Sequence, residues 1–378
     1  MLDVVGLMLW AALTGWVVWA ARAPQDAAKV CGLLLGVLVV HVATRAVASR
    51  DALAVPLGLM VAGASFAAVW LLQALLSLRW AQMPYVGDAF LRLFFRVPAI
   101  SAALLSWRDP LGYANATAAL TLLGASAALV VAARSCGALR RVAVGVAVVC
   151  VLAPLAHEAQ AAALLATGLI VLYAASGGRP PVRPVVRAAA VAVVAALGVT
   201  VLIGAAYNGA GVPDAVVGGT LSGNRALLWG DALDQVAAEP LAGVGTNRFS
   251  HVSPIAGADR DLRWAHHELL QLAAETGLPG LGLGLALLLW VFVRLAAGPR
   301  DGGTAIVAAG FAAICVAAQI DYIWHVPAVA LATAALAGCG GAAVVRHVDD
   351  LPGGGRPGAG EARVLATGAG DALRAHET

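Results

Sequence analysis

Three short stretches of this chain place acid–base and anion-binding side chains close together. The densest is Ala265–Gly280, AHHELLQLAAETGLPG, where His266, His267 and Glu268 precede a long apolar run and Glu275 follows about two turns later. At helical spacing Glu268, Gln271 and Glu275 form one polar edge. A carboxylate inside such a run is costly and is expected to face a cavity or a partner. The second is AQIDYIWHVPA, with Asp321 and His325. The third is GNRALLWGDALDQVAAEPLAGVGTNRF. There Asn224 is expected to cap a short helix that Pro240 ends, with Leu228, Leu233 and Val236 on a side laid against a membrane surface. Arg225 sits in the first turn of that helix, where a cation opposes the helix dipole, so an anionic partner is expected. Gly243 and Gly245 read as a tight turn. Further arginines are Arg248, Arg263 and, in an earlier loop, Arg79, Arg92, Arg96 and Arg108, a set suited to a lipid headgroup or a diphosphate.

Several chemistries are excluded by spacing. HELLQ begins like the zinc-binding HExxH helix, but Gln271 occupies the place of the second histidine, so no metal site is expected. No GxSxG elbow occurs. Cys31, Cys136, Cys150, Cys315 and Cys339 show no CxxC spacing and none falls in the long polar loop, so neither a disulfide framework nor a zinc site is suggested.

The elements that must position these residues are membrane helices. The chain has 378 residues, 61% hydrophobic and 12% charged, with a mean hydropathy of +0.86. Soluble chains carry about a quarter charged residues. The uncharged stretches are long enough for apolar helices to cross a core of about 30 Å, and they lack the alternation of barrel strands. The expected fold is all-α and polytopic, with ten spans near 4–20, 30–47, 53–76, 113–133, 142–156, 160–176, 188–206, 270–297, 304–320 and 328–345. The organisation that follows is helices one to seven over 1–206 with an external loop at 77–112, a large external loop at 207–269, helices eight to ten over 270–348, and a disordered cytoplasmic tail at 349–378. The first hydrophobic stretch lacks a basic leader and reads as a span rather than a cleavable signal.

Arginine placement orients the chain. Arg134, Arg140 and Arg141 occupy one short connection, Arg179, Arg183 and Arg187 another, and Arg300 a third, all on one side by parity. Positively charged loops stay cytoplasmic, so both long loops and the turn Asp321–Pro327 are external. Arg22 and Lys29, the one lysine, would also be external. The net charge of +3 carries no signal for nucleic acid.

With these residues in view, the sequence resembles the O-antigen ligase and O-antigen polymerase superfamily of bacterial membrane proteins. AHHELLQLAAETGLPG is similar to its His-Asn-x-x-Leu…Glu-x-Gly-x-x-Gly segment, although His267 stands where asparagine is usual. Arg225, Trp229, Pro240, Gly243 and Gly245 match its Arg-x-x-x-Trp…Pro-x-x-Gly-x-Gly pattern. AQIDYIWHVPA resembles its later Asp-Phe/Tyr…His-x-Pro turn, and GYANATA its Gly…Asn-x-x-Ala helix start. A usual Ser-Arg pair is replaced by His157, Glu158 and Ala159.

The resemblance implies a GT-C-type glycosyltransferase of the inner membrane, needing no metal or other cofactor and working on the periplasmic face. Its partners would be a glycan on undecaprenyl diphosphate and an acceptor, with the lipid A core preferred over another glycan or a protein. His266 is then the base that takes the proton of the acceptor hydroxyl, a task suited to an imidazole near neutral pH. Arg225 is the diphosphate clamp, with Arg108, Arg248 and Arg263 as further clamp candidates, and Glu268, Glu275, Asp321 and His325 in orienting roles. A polymerase of the same superfamily shares these motifs. A transporter or flippase for lipid-linked sugars would need polar residues along several spans, whereas here they gather on one face, and no internal repeat is visible. A peptidoglycan glycosyltransferase would instead rely on an external aspartate such as Asp214, Asp231 or Asp259.

Overall fold

The computed structural model describes residues 2–82, 111, 113–156, 159–207, 223–258 and 262–341. The tail from 349, Arg108 and most of the 77–112 loop lie outside them, as do His157, Glu158, Asp214 and Asp259. Among the described residues the chain is helical with no strand, as expected for an all-α polytopic membrane protein.

Ten apolar helices occupy the positions of the ten expected spans. Seven are long and apolar enough to cross a bilayer. They are α1 (Leu2–Ala20), α2 (Pro24–Ala48), α3 (Ala54–Gln82), α4 (Ala114–Arg134), α5 (Gly137–Ala156), α7 (Val182–Tyr207) and α11 (Glu268–Ala297). The other three, α6 (Gln160–Ala175), α12 (Gly302–Ala317) and α13 (Pro327–Gly338), are shorter than a bilayer-spanning helix requires. α12 shows why shortness is tolerated. Most of its residues are buried by other helices, so its backbone ends meet protein rather than lipid. Three further α-helices among the described residues are α8 (Gly223–Ala238), α9 (Phe249–Val252) and α10 (Pro254–Ala258).

α4 is the central helix, packed by α3, α5, α6, α12 and α13. In lipid, helices associate through close packing rather than apolar transfer, so small residues at the contacts decide which helices meet. The sequence ANATAALTLLGASAALVVAAR supplies them. A Cβ on Gly63 of α3 would lie 2.4 Å from Gly124 Cα, and one on Gly310 of α12 would lie 2.6 Å from Ser126 Oγ. This packing holds the start of α4, with Tyr113 and Asn115, against the turn after α12.

α1 runs antiparallel to α11. Trp290 Nε1 donates to Leu2 O at one end (2.7 Å), and Trp16 Nε1 donates to Thr276 O toward the other (2.7 Å). Arg22 therefore lies at the same end as Glu268 and Thr276, its guanidinium 3.5 Å from Gly243 O. At the opposite end Arg134 reaches the carbonyls of Ala52 and Cys339 and lies 3.6 Å from Asp301. Arg134, with the loops that carry Arg140, Arg179 and Arg300, thus lies at one end of the bundle and the candidate residues at the other, where Arg22 of the α1–α2 connection also lies.

Candidate active site

α11 is broken where its sequence cannot continue a helix. Gly277 has φ 71° and ψ −178°, and Pro279 has no N–H to donate to Glu275 O. The break leaves three backbone groups to satisfy: the carbonyls of Ala274 and Glu275, and the N–H of Leu278. The Pro240–Gly245 turn meets all three. Val244 N donates to Ala274 O (2.9 Å), Gly245 N to Glu275 O (3.0 Å), and Leu278 N to Pro240 O (2.8 Å). Contact this close excludes side chains. A Cβ on Gly243 (φ +67°) would lie 2.4 Å from Glu275 C, and one on Gly277 2.3 Å from Leu241 O. The two glycine-containing motifs are thus the halves of one backbone joint.

Side chains complete the joint. Glu275 accepts from Asn247 N (2.7 Å) and Phe249 N (3.2 Å), and Gln271 Nε2 donates to its Oε1 (3.2 Å). The expected polar edge exists, but it faces the loop rather than water or headgroups. Glu268 ties the start of α11 to the last turn. Its N–H bonds Ala318 O (2.9 Å), and its carboxylate accepts from Trp324 N (2.7 Å) and lies 3.1 Å from His325 Nδ1. That contact holds the His325 imidazole above its ordinary value of 6.5, overcoming the opposing effect of burial.

α8 differs from the expected surface helix. It begins at Gly223, so Asn224 lies within its first turn and does not cap it, while Pro240 follows its end as foreseen. Leu228, Trp229 and Ala232 pack with Phe249, Ala265, Leu270 and Ala274, and a Cβ on Gly204 of α7 would meet Trp229 Cβ at 2.9 Å. The apolar side is covered by protein. This packing fixes Arg225 over the turn after α12.

Asp321 is the hub of the site. Its Oδ1 accepts from Tyr113 Oη (2.5 Å) and Tyr322 N (2.8 Å), and His266 Nδ1 lies 3.2 Å away. Its Oδ2 accepts from Arg225 Nη2 (3.0 Å) and from Asn115 Nδ2. Burial alone would raise this carboxyl. The hydrogen bond from His266 and the Arg225 charge outweigh it and hold Asp321 below the usual carboxylate range. His266 itself is buried, with φ +52°, a left-handed conformation that costs a residue other than glycine about 1–3 kcal/mol, although histidine adopts it more readily than most. Its ring meets the face of Tyr322 edge-on at 4.7 Å, and Tyr322 stacks on Tyr113 at 4.5 Å.

The adjacent His267 has a different place. It is fully buried as the N-cap of α11, with Nδ1 accepting from Leu270 N (3.1 Å) and Nε2 2.7 Å from Thr200 Oγ1. An acceptor at Nδ1 puts the proton on Nε2, which donates to Thr200. Burial lowers this imidazole to about 3. It therefore does what an asparagine does at an N-cap.

The structure brings His266, Arg225 and Asp321 together and joins Glu268, His325 and Glu275 to them through Tyr322, Trp264 and Gln271. The Trp264 and His325 rings meet at a tilt of 38° with centroids 4.1 Å apart, and Arg263 lies over Trp264 at 5.1 Å. Arg248 is elsewhere: it flanks Gly245 beside Arg22 at the α1–α2 connection. Asp231 bonds Ser253 Oγ (2.5 Å). Tyr113, Asn115 and Thr200 are the contributors that motif reading did not assign, and the position of Tyr113 and Asn115 at a helix start was their one signal. Among the described residues no three His, Cys, Asp or Glu side chains are arranged to hold a metal ion.

An apolar groove of about 260 Å³ between α1, α2, α11 and α13 opens beside the site at Glu268 and Trp324 and continues to His41.

The fold and this site define a multi-pass helical membrane protein with a buried carboxylate gathering an imidazole and a guanidinium at one end of the bundle. Residues 145–285 match the family model described as O-antigen ligase. The matched stretch runs from α5 through the break in α11 and includes Arg225, Gly243, Gly245, His266 and Glu275, whereas Tyr113, Asn115, Asp321 and His325 lie outside it. No curated protein matches the chain.

Proposed function

We propose that this protein transfers a glycan from undecaprenyl diphosphate to an acceptor hydroxyl, with the lipid A core as the preferred acceptor, on the periplasmic face of the bacterial inner membrane. The observation that carries the reading is the shared carboxylate: Asp321 lies 3.2 Å from His266 Nδ1 and 3.0 Å from Arg225 Nη2. In this reading Nδ1–H points at Asp321, so Nε2 is the nitrogen that takes the acceptor proton. The acceptor oxygen then forms a bond to the anomeric carbon as the bond from that carbon to the diphosphate oxygen breaks. The proton ends on His266 and the electron pair on the departing lipid diphosphate. Asp321 stabilises the imidazolium that results, as a buried carboxylate does in other imidazole-base sites.

Arg225 spends one N–H on Asp321, and the rest of its planar fork suits a phosphate. Arginine charge meets the need of the leaving group at the point where negative charge develops. Arg263, close by over Trp264, is the second clamp candidate. Arg108 lies outside the described residues, and Arg248, a further clamp candidate, lies apart from the cluster beside Arg22. The cluster lies at the end of the bundle opposite Arg134, and opposite the connections that carry Arg140, Arg141, Arg179 and Arg300, which favours the periplasmic side.

The test is transfer from a purified undecaprenyl-diphosphate-linked glycan to lipid A core in proteoliposomes. The expected result is acceptor-dependent product with wild type and none with H266A. Elongated lipid-linked glycan without attachment to the core would instead indicate the polymerase. Movement of donor across the bilayer without a new glycosidic bond would indicate a flippase.

A further inference from the structure

The apolar groove has a second end, remote from His266. Its inner half is lined by Val37, His41, Leu288, Val291, Ala334 and Ala337. His41, with Nδ1 3.4 Å from Ala334 O, is shared with a small crevice that also contains Arg45, Arg294, Gly338 and Gly340. Two guanidinium groups from different helices therefore sit where the groove ends. Both turn to a single carboxylate oxygen, Asp3 Oδ1, with Arg294 Nε at 3.3 Å and Arg45 Nη1 as the closer partner. The cluster carries two positive charges against one negative. The arginine side chains are 34% and 24% exposed, so N–H donors beyond the one each gives Asp3 remain for another anion.

The dimensions select an amphiphile. The groove is lined along α11 on both sides of the break at Gly277, from Glu268 to Val291, so it reaches through most of a bilayer core about 30 Å deep. A chain from one leaflet covers about half of that depth. The inner half thus offers an apolar slot one acyl chain long with an excess of positive charge at its mouth. That end also carries the short-loop arginines, so it faces the leaflet whose headgroups are met by basic residues.

We propose that Arg45 and Arg294 bind the phosphate of an anionic phospholipid, with one of its acyl chains in the groove below His41. The site is separate from the glycosyl-transfer site and does not depend on that reading. A lipid-linked donor would occupy at most the outer half, beside Glu268 and Leu272, so both lipids bind at once.

The experiment is native mass spectrometry of the full-length protein taken from phosphatidylcholine nanodiscs containing a minor fraction of phosphatidylglycerol. Wild type is expected to retain phosphatidylglycerol in preference to phosphatidylcholine. R45Q/R294Q is expected to reduce that retention roughly thirtyfold, on the scale of the attraction of two surface arginines for an anionic leaflet. Equal retention by R45Q/R294Q and wild type overturns the proposal. V37W, which fills the slot without touching charge, is expected to reduce retention as well. Should the double variant not fold, V37W decides, and unchanged retention by it overturns the proposal. Displacement of phosphatidylglycerol by inorganic phosphate at equal concentration would point to a headgroup site without a chain, and one-for-one displacement by undecaprenyl phosphate to a donor groove; either result overturns it.

Discussion

Asp321 Oδ1 stands 3.2 Å from Nδ1 of His266, although the two residues come from opposite sides of the α11–α12 hairpin. The same carboxylate holds Arg225 through its other oxygen. The imidazole and the guanidinium are thus positioned by one group, and their properties should be coupled.

That coupling gives the first prediction. H266Q is expected to lower kcat about 10²–10⁴-fold, the range for loss of a general base. D321N keeps the shape but removes the charge that stabilises an imidazolium, and should lower kcat by a comparable factor. H266Q/D321N should fall little further, because residues acting as a unit are not additive. Full additivity in steady-state transfer assays would show that the two act separately.

Arg225 should be sensitive to more than charge. R225K keeps the cation but loses the planar fork, so kcat/KM for the lipid-linked donor is expected to fall roughly tenfold, and R225A roughly a hundredfold. A shortened donor carrying the same diphosphate should show the same ratio. R225K kinetics equal to wild type would remove the clamp from the mechanism.

His267 predicts an acid-side weakness. Its folded-state value is about 3 against an ordinary 6.5, so between these values the unfolded chain binds a proton that the folded chain refuses. Stability is lost as pH falls below 6.5, by about 2 kcal/mol at pH 5. H267N keeps an N-cap acceptor and cannot titrate. Melting in detergent should show H267N close to wild type at pH 7 and more stable at pH 5.

The Glu268–His325 pair has the opposite sign. His325 is held above 6.5 by Glu268, so its contribution is complete below 6.5 and disappears as pH rises through the raised value. Wild type should therefore lose melting temperature on moving from pH 6.5 into the alkaline range, and E268Q should show a shallower slope. Identical slopes would assign no role to this pair.

The joint between α11 and the Pro240–Gly245 turn should tolerate no Cβ. G243A and G277A each combine a positive φ with contact under 2.5 Å to backbone atoms, and neither neighbour can move without breaking the interlocked hydrogen bonds. Each is expected to destabilise by about 3 kcal/mol or more. G282A is the control, because nothing lies within 4 Å of its added carbon.

The helices were legible because an uncharged run of span length has few alternatives in lipid. The site was legible as a set of motifs but not as a set of contacts. Arg225 was expected to need an anion, yet nothing local said that the anion would be Asp321. Nor could the sequence say that Tyr113 and Asn115 would reach the same carboxylate, because that contact depends on how α4 packs against α12. The two adjacent histidines were separable only through resemblance. Thr200 and Leu270 N distinguish them physically, and Thr200 belongs to another helix. The burial of α8 was missed for a general reason: an amphipathic pattern is the same whether lipid or protein covers its apolar side.

The hub carboxylate also sets an order of events during synthesis. Arg225 and His266 leave the ribosome before Asp321, which sits on the final hairpin between α12 and α13. Until that hairpin inserts, the guanidinium and the imidazole have no anion between them, and Tyr113 and Asn115 at the head of α4 wait without their acceptor. A premature stop ahead of Asp321 would leave most of the membrane helices in place without the carboxylate that gathers Arg225, His266, Tyr113 and Asn115.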